Sequence, residues 1–423
     1  MFGNGLVVPF LIIYLHTVRG IPLGIAGLVA ATNALVALVS GPVAGALADR
    51  IGPRTTLTAS LIGMAGAYSL FPLIREPWHA LVLSGLAGAA SGAFWPSQGA
   101  LLTALTPRER RHAAFAQQRV TMNLGIGLGA LVGGLIASAD RPGSFTVLFL
   151  LDAATFLVFA VILRRVPDPQ LRRSDADGGA GSFATVLRHR PFMGFVGLNV
   201  VVIAASIAPF SELFPVFAKT EANVSERGIG LVFFLNTLAV VVMQLPVARL
   251  VEGRRRMRAL AATSALFGAT WLAVLAIGLS LDGRTAAAAF ALAFVVFAVG
   301  ECLHGTVQGP MVSDLAPPHL LGRYMALSAS SWQVAFILGP AIGGFVLQAQ
   351  PFALWPLAAG ACLTATAGAL ALERRLPVYV RRAPARVQTG ETIEPAPVPA
   401  PAIASDPPRY HPSHAAPDRG ASE

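Results

Sequence analysis

Charge is what this 423-residue chain has least of. Asp, Glu, Lys and Arg make up only 12% of it, about half the roughly 25% of a soluble domain. That leaves too little polar surface to wet a globule of this size. Lys219 is the only lysine, so nearly all positive charge is arginine. The two cysteines, Cys302 and Cys362, lie inside apolar runs, which excludes a disulfide scaffold. No phosphate-cradling glycine loop follows a strand, so bound nucleotide is not expected as an energy source. No His, Cys and acid cluster has metal-ligand spacing, and no nucleophile stands by a base. Catalytic residues, a metal and a cofactor are therefore not expected. The low charge and high hydrophobicity exclude disorder for most of the length.

What is present is apolar sequence. Hydrophobic residues make up 55% of the chain and mean hydropathy is +0.65. A spanning helix needs about 20 apolar residues. Runs bounded by charge, Gly or Pro fall at 2–17, 22–47, 55–74, 79–104, 116–138, 144–163, 193–217, 228–250, 258–280, 285–311, 322–348 and 352–372. The expected fold is an all-α membrane protein with twelve transmembrane helices, numbered here as spans 1 to 12. The opening segment MFGNGLVVPFLIIYLH has no basic n-region or small-residue cleavage site, and it reads as part of span 1. Net charge is +10. Its distribution favours a bilayer over nucleic acid as the partner. Six basic residues fall in one set of loops (Arg19, Arg75, Arg141, Lys219, Arg227, Arg284), while the alternate loops with their helix ends hold eighteen and the C-terminal tail seven. By the positive-inside rule the rich set and the C-terminus are cytoplasmic. The expected location is the cytoplasmic membrane.

The polar segment 164–191 divides the chain into two groups of six spans, 1–163 and 192–372. Residues 373–423 lose apolar periodicity, fill with Pro and Ala, and read as a disordered tail. The two groups are repeats. At an offset of 210, Gln98, Gly99, Leu105, Pro107, Ala116, Gly129, Gly133 and Gly134 match Gln308, Gly309, Leu315, Pro317, Ala326, Gly339, Gly343 and Gly344. At an offset of 203, GLVAATNAL (27–35) matches GLVFFLNTL (230–238), including Asn33 and Asn236. Six spans per repeat give both halves one orientation, so two pseudo-symmetric bundles are expected with a substrate path between them near the midplane. Residue 1 projects onto residue 204, although span 7 begins near 193. Span 1 is thus expected to lack about ten residues, since sixteen reach only about 24 Å across a ~30 Å core.

At the inner end of span 2 stands GPVAGALADRIGPR (41–54). Gly41 and Gly45, four apart, admit a close second helix, and Asp49 suits the positive N-terminus of another helix. The pattern Gly45-x-Leu47-Ala48-Asp49-Arg50-x-Gly52-x-Arg54 resembles the loop 2–3 signature of the major facilitator superfamily, over residues 1–372. The resemblance implies a rocker-switch transporter in which Asp49 braces span 11 near Gly322 and Arg323 in the outward-facing state. The second-half loop PVARLVEGRRR (246–256) keeps the charge without the pattern. Span 5 carries Gly125, Gly129, Gly133 and Gly134, echoed in span 11 by Gly339, Pro340, Gly343 and Gly344. This looks like the superfamily's exporter (antiporter) signature, with Ala130 in place of its proline. Plain small-residue packing explains the same glycines.

Charge inside a membrane is costly, so Asp152 in span 6, Glu212 in span 7 and Glu301 in span 10 are functional candidates, and the expected proton-coupling set is Glu301, His304, Arg119 and Asp152. Glu301 is the best placed, with His304 one turn on, and GECLHGTVQGP (300–310) resembles the span 10 segment of drug exporters of the superfamily. Such a carboxyl can exchange protons or sit as a static hydrogen-bonded group; Arg119 is an acid's partner or an interfacial anchor. Asp152 is expected to tie spans 5 and 6, and Glu212 to face water near its helix's outer end. Asn33, Asn236, Asn123, Gln333, Phe94, Trp95 and Trp332 are candidate path residues, with interhelical bonding and lipid contact as the competing account. The expected activity is proton-coupled export of a small amphipathic compound by a monomer, driven by the proton gradient without a cofactor. Import of a metabolite, a receptor or scaffold with the same fold, and a membrane-embedded enzyme are the alternatives.

Overall fold

The structure, a computed structural model, describes residues 1–107, 110–167 and 183–383. Arg108, most of the expected linker and the tail from 384 lie outside the described residues. The described chain is helical with no strand: α1 (Phe2–Ile13), α2 (Leu23–Ile51), α3 (Pro53–Leu70), α4 (Pro77–Leu105), α5 (Arg111–Ile136), α6 (Gly143–Leu163), α7 (Phe183–Arg188), α8 (Arg190–Ala205), α9 (Ile207–Glu212), α10 (Phe214–Thr220), α11 (Glu226–Val251), α12 (Arg256–Ser280), α13 (Gly283–Leu315), α14 (Leu321–Ala349) and α15 (Leu354–Glu373). Span 7 is α8 to α10, and spans 8 to 12 are α11 to α15. Ten of the described helices are long and apolar enough to cross a bilayer. With Phe2–Val18 and Pro77–Leu105 they make twelve.

Helices are what the solvent demands, because lipid offers no partner to a backbone N–H or C=O. The 29 residues of α2 reach about 43 Å, beyond the ~30 Å hydrocarbon core, so the arginines at its end sit clear of it. Proline is tolerated where another group replaces the lost bond. In span 7, Pro209 has no N–H to give the Ala205 carbonyl, and the Trp271 indole N–H donates to that carbonyl instead at 2.8 Å. The span breaks at Ser206 and Leu213 around this proline. Its counterpart α1 ends in a π turn, Tyr14–Val18.

The helices pair in two matching sets. In the first bundle α2 packs on α4, α3 on α4 and α6, and α1 on α5 and α6. In the second α11 packs on α13, α12 on α13 and α15, and α8 on α14 and α15. The bundles meet through α2 against α14 and α5 against α11, pairs that a two-fold axis exchanges.

One boundary differs from the sequence reading. The structureless tail was expected from 373, but residues 374–383 fold back. Val380 is fully buried in a 3-10 turn, and the Arg256 and Ala383 amides bond to Arg381 and Arg254 carbonyls at 2.9 Å. Three apolar residues (Leu376, Val378, Val380) among arginines were too short a pattern to stand out.

Candidate functional site

The bundles are closed on each other at the arginine-poor end. There Gly134 lies against α11, so that a Cβ on it would come 2.5 Å from the Glu226 carbonyl and 3.1 Å from Gly230 Cα. Gly344 lies likewise against α2, where a Cβ would meet the Leu23 carbonyl at 2.8 Å and Gly27 Cα at 3.1 Å. The two contacts are images of each other. Only glycine lets the backbones approach this closely, the packing that drives helices together in lipid. Two hydrogen bonds fasten the same end, from the Ala139 amide to Glu226 Oε1 at 3.0 Å and from the Gly24 amide to Gln348 Oε1 at 2.9 Å. Among the described residues these are the hydrogen bonds that join bundle to bundle. Lys219 pairs with Glu226 at 3.1 Å.

The expected glycine faces therefore divide their work. Gly125, Gly129 and Gly133 seat α1, and Gly339 and Gly343 seat α8 to α10, each within its own bundle. Gly134 and Gly344 face the other bundle. Pro340 offers its carbonyl to Gly27 across the interface, as Ala130 does to Gly230; the proline and the alanine thus occupy equivalent places.

The arginine-rich end is apart. Gly45, Gly99, Gly309 and Gly322 have nothing within 4 Å of where a Cβ would stand. Asp49 and Arg50 are exposed, and among the described residues Asp49 has no ion-pair partner. The contact between Asp49 and span 11 that the loop 2–3 resemblance implies has no ion pair behind it here. Gly52 turns the chain with φ 91°, a conformation that costs an L-residue, and Arg54 donates to the Val166 carbonyl at 2.9 Å. A Cβ on Gly41 would come no nearer to α4 than 3.8 Å, at the Gly92 carbonyl.

Polar groups gather between the two ends. Glu301 on α13, half-buried, accepts a hydrogen bond from Asn236 Nδ2 on α11 at 3.0 Å. That amide also donates to the Phe294 carbonyl at 3.2 Å. From the other bundle, Arg119 on α5 brings its guanidinium to Gly305, one turn from Glu301. A Cβ at 305 would stand 2.5 Å from Arg119 Nη2, so the guanidinium would have to shift. Arg119 and Glu301 are not within ion-pair distance in this conformation. The expected partnership of Glu301 with His304 does not form, because each side chain leaves α13 in its own direction. His304 is buried and donates from Nε2 to Asn199 Oδ1 at 2.8 Å. Asn199 Nδ2 in turn donates to Ser331 Oγ at 2.7 Å, and Trp332 meets the His304 ring edge-on at 5.8 Å between centroids. Asn199 and Ser331 were missed in the sequence. Asn199 carried a readable signal, a carboxamide inside the apolar run 193–217.

The remaining candidates are scattered. Asn123 and Gln333 are half-buried on α5 and α14. Asn33 donates to the Ser84 carbonyl on α4 at 3.3 Å, inside the first bundle. Phe94 and Trp95 line a separate cavity of about 180 Å³ beside Met64 and Phe159, so they stand apart from Trp332. Asp152 is fully buried, but it lies against Gly3 of α1 and not against α5. The reason is that α6 packs chiefly on α1 and α3. Neither carboxylate oxygen of Asp152 has a hydrogen-bond partner. Glu212 ends α9 at the break in span 7, with one carboxylate oxygen buried and unpartnered, rather than facing water.

Two six-helix bundles related by a two-fold axis, shut at one end and parted at the other, define a membrane transporter fold. The family profile of the Major Facilitator Superfamily matches residues 1–222 and again 196–410, and the chain belongs to that superfamily. It is 23% identical to a Na(+), Li(+), K(+)/H(+) antiporter of Planococcus maritimus, over 79% of this chain and 84% of the relative. It is 25% identical to the multidrug resistance protein MdtG of Proteus mirabilis, over 81% and 85%. A crystal structure of a POT family transporter in complex with a thioalcohol-conjugated peptide superposes with a TM-score of 0.71 at 14% identity, covering 88% of this chain and 93% of that one.

Proposed function

We propose that the protein is a proton-coupled exporter of small amphipathic compounds, with Glu301 as the proton-exchanging group and the arginine-rich end in the cytoplasm. One observation carries the reading: Arg119 of one bundle reaches over the gap to the turn after Glu301 of the other. A carboxylate there attracts the guanidinium, and a protonated carboxyl does not, so a proton on Glu301 changes the force between the bundles. Asn236 holds the carboxyl in place through a donated hydrogen bond. In the conformation open to the cytoplasm the proton leaves and substrate enters. Once the outer end opens, substrate leaves and a proton returns. A ligand drives such a cycle only through its different affinity for the two states, which Arg119 supplies. His304 serves this site by fixing α8, α13 and α14 through Asn199 and Ser331. The charge of the loops supports the orientation. The two relatives whose names state antiport of cations with protons and multidrug resistance support the coupling and the substrate class. No cofactor enters the cycle, and the proton gradient supplies the energy.

Glu301→Gln keeps the Asn236 contact and removes the titrating group. In proteoliposomes loaded with a pH-sensitive dye, ethidium is expected to drive proton counterflow through the parent and not through E301Q. Counterflow in E301Q equal to the parent at every pH between 6 and 8 would defeat the proposal. Substrate moving in the same direction as the protons would make the protein an importer.

A further inference from the structure

The second bundle holds a basic cleft that the transport cycle does not use. It lies at the arginine-rich end, where the loop Glu252–Arg255 joins α11 to α12. The strap 374–383 crosses this loop, and Arg255 and Arg382 face each other in a backbone bridge. Two arginines here are occupied by structure. Arg256 is buried and bonds to Asp314 at 2.6 Å, while Arg255 pairs with Glu373 at 3.1 Å. Arg254, Arg258 and Arg382 are exposed, and among the described residues their guanidiniums have no hydrogen-bond or ion-pair partner. With Arg255 they rim a cleft of about 490 Å³. The loop's acid, Glu252, is exposed and does not line it. The floor and walls are apolar, formed by Leu250, Ala259, Ala262 and Leu303. Leu250 is half exposed, so the groove between α11 and α12 opens sideways.

Guanidiniums that repel one another around one cleft call for an anion, and arginine suits the oxygens of a phosphate. A free anion gains nothing from an apolar floor. A phospholipid matches both parts, with its phosphate at the rim and an acyl chain along the floor. A zwitterionic headgroup would bring a cation of its own into the arginine cluster. We infer that this cleft is a binding site for an anionic phospholipid of the leaflet at the arginine-rich end. Arg254, Arg258 and Arg382 hold the phosphate, and the groove beside Leu250 and Ala262 takes one chain. The inference stands independently of what the protein transports.

The test uses the full chain in detergent, depleted of lipid, with thermal stability and native mass spectrometry as readouts. Dioleoyl-phosphatidylglycerol is expected to bind and raise Tm, with no comparable effect of dioleoyl-phosphatidylcholine or sn-glycerol 3-phosphate at the same concentration. The variant R254Q/R258Q/R382Q is expected to bind phosphatidylglycerol at least tenfold more weakly. A262W, which fills the groove from an exposed helical position and keeps every arginine, is expected to lose a similar factor. If the triple variant does not stay monodisperse, R258Q and A262W carry the comparison. Unchanged phosphatidylglycerol affinity in these variants overturns the site. An equal response to phosphatidylcholine overturns charge recognition, and an equal response to glycerol 3-phosphate overturns a lipid ligand.

Discussion

Gly134 sets how tightly one end of the transporter can shut, and Gly134→Ala measures it. An ordinary approach between non-bonded heavy atoms is roughly 3.5 Å. A methyl at 134 would stand 2.5 Å from a backbone oxygen of α11, and neither partner is a flexible side chain. The two helices must part by about 1 Å. Overpacking of this kind costs about 1–3 kcal/mol, and the cost falls only on the conformation that closes this end. The helix propensity that alanine gains over glycine, about 1 kcal/mol, is present in both conformations and cancels. The ratio of closed to open molecules should therefore fall about 5- to 150-fold. Spin labels on cysteines placed at Arg75 and Arg284 report it. Both positions are exposed, one in each bundle at the arginine-poor end, and the native cysteines are buried. Double electron–electron resonance should show a longer distance gaining population in G134A. The image variant G344A, at 2.8 Å from the Leu23 carbonyl, should do the same. G360A, where a Cβ meets nothing within 4 Å, should not. A G134A distribution that overlays the parent, or an equal change in G360A, refutes the argument that these glycines set the closure.

Other perturbations follow from the same contacts. Asp152→Asn exchanges a buried carboxyl whose oxygens have no hydrogen-bond partner for an amide of the same shape that can never carry the charge, which is costly to bury. Tm of D152N should equal or exceed that of the parent in a detergent melt. His304→Ala strands the Asn199 carbonyl and should cost about 1–3 kcal/mol, seen as a lower Tm, while His304→Gln, which can still donate, should recover most of it. At the junction before α8, His189 bonds to the Tyr324 hydroxyl at 2.7 Å, and burial holds its pKa below the usual 6.5. The unfolded chain therefore takes up the proton first. The stabilisation is whole above pH 6.5 and declines as pH falls below it, so the Tm difference between parent and H189Q should shrink from pH 7.5 to 5.5. Ending the chain at 373 removes the fully buried Val380 and should cost about 1.5–3 kcal/mol, read as a lower Tm than that of a chain ended at 383.

The sequence showed the parts of this molecule that are periodic or repeated. Twelve apolar runs, the alternation of arginine between loops and the match of Gly133 and Gly134 to Gly343 and Gly344 led directly to two related bundles. The glycine stripes, though, have one meaning along a helix and two in space. Gly129 and Gly134 belong to the same run, yet one seats α1 and the other meets the second bundle. Which face meets which neighbour depends on helix rotation, and spacing does not carry that. The direction of Glu301 and His304 failed for the same reason. Residues three apart share a helical face broadly, but one reaches α11 and the other α8.

The repeat also separates scaffold from chemistry. Asn33 and Asn236 correspond, and so do the carbonyls they bond, Ser84 and Phe294, 210 residues apart. That hydrogen bond occurs in both bundles, as do the glycine contacts of α5 with α11 and of α14 with α2. The polar centre is not duplicated. At the same offset Glu301 faces Ser91, His304 faces Phe94, Gly305 faces Trp95 and Arg119 faces Ala329. With the acid in one bundle and the guanidinium in the other, the proposed proton exchange on Glu301 would change the attraction between two bodies that are otherwise alike. Exchange of the residues between repeats tests this directly: A329R in an R119A background puts the cation in the same bundle as Glu301. The rocking machinery would be intact, while proton counterflow should stay at the level of R119A alone. Recovery of counterflow would mean that charge near Glu301, and not charge across the gap, is what the cycle uses.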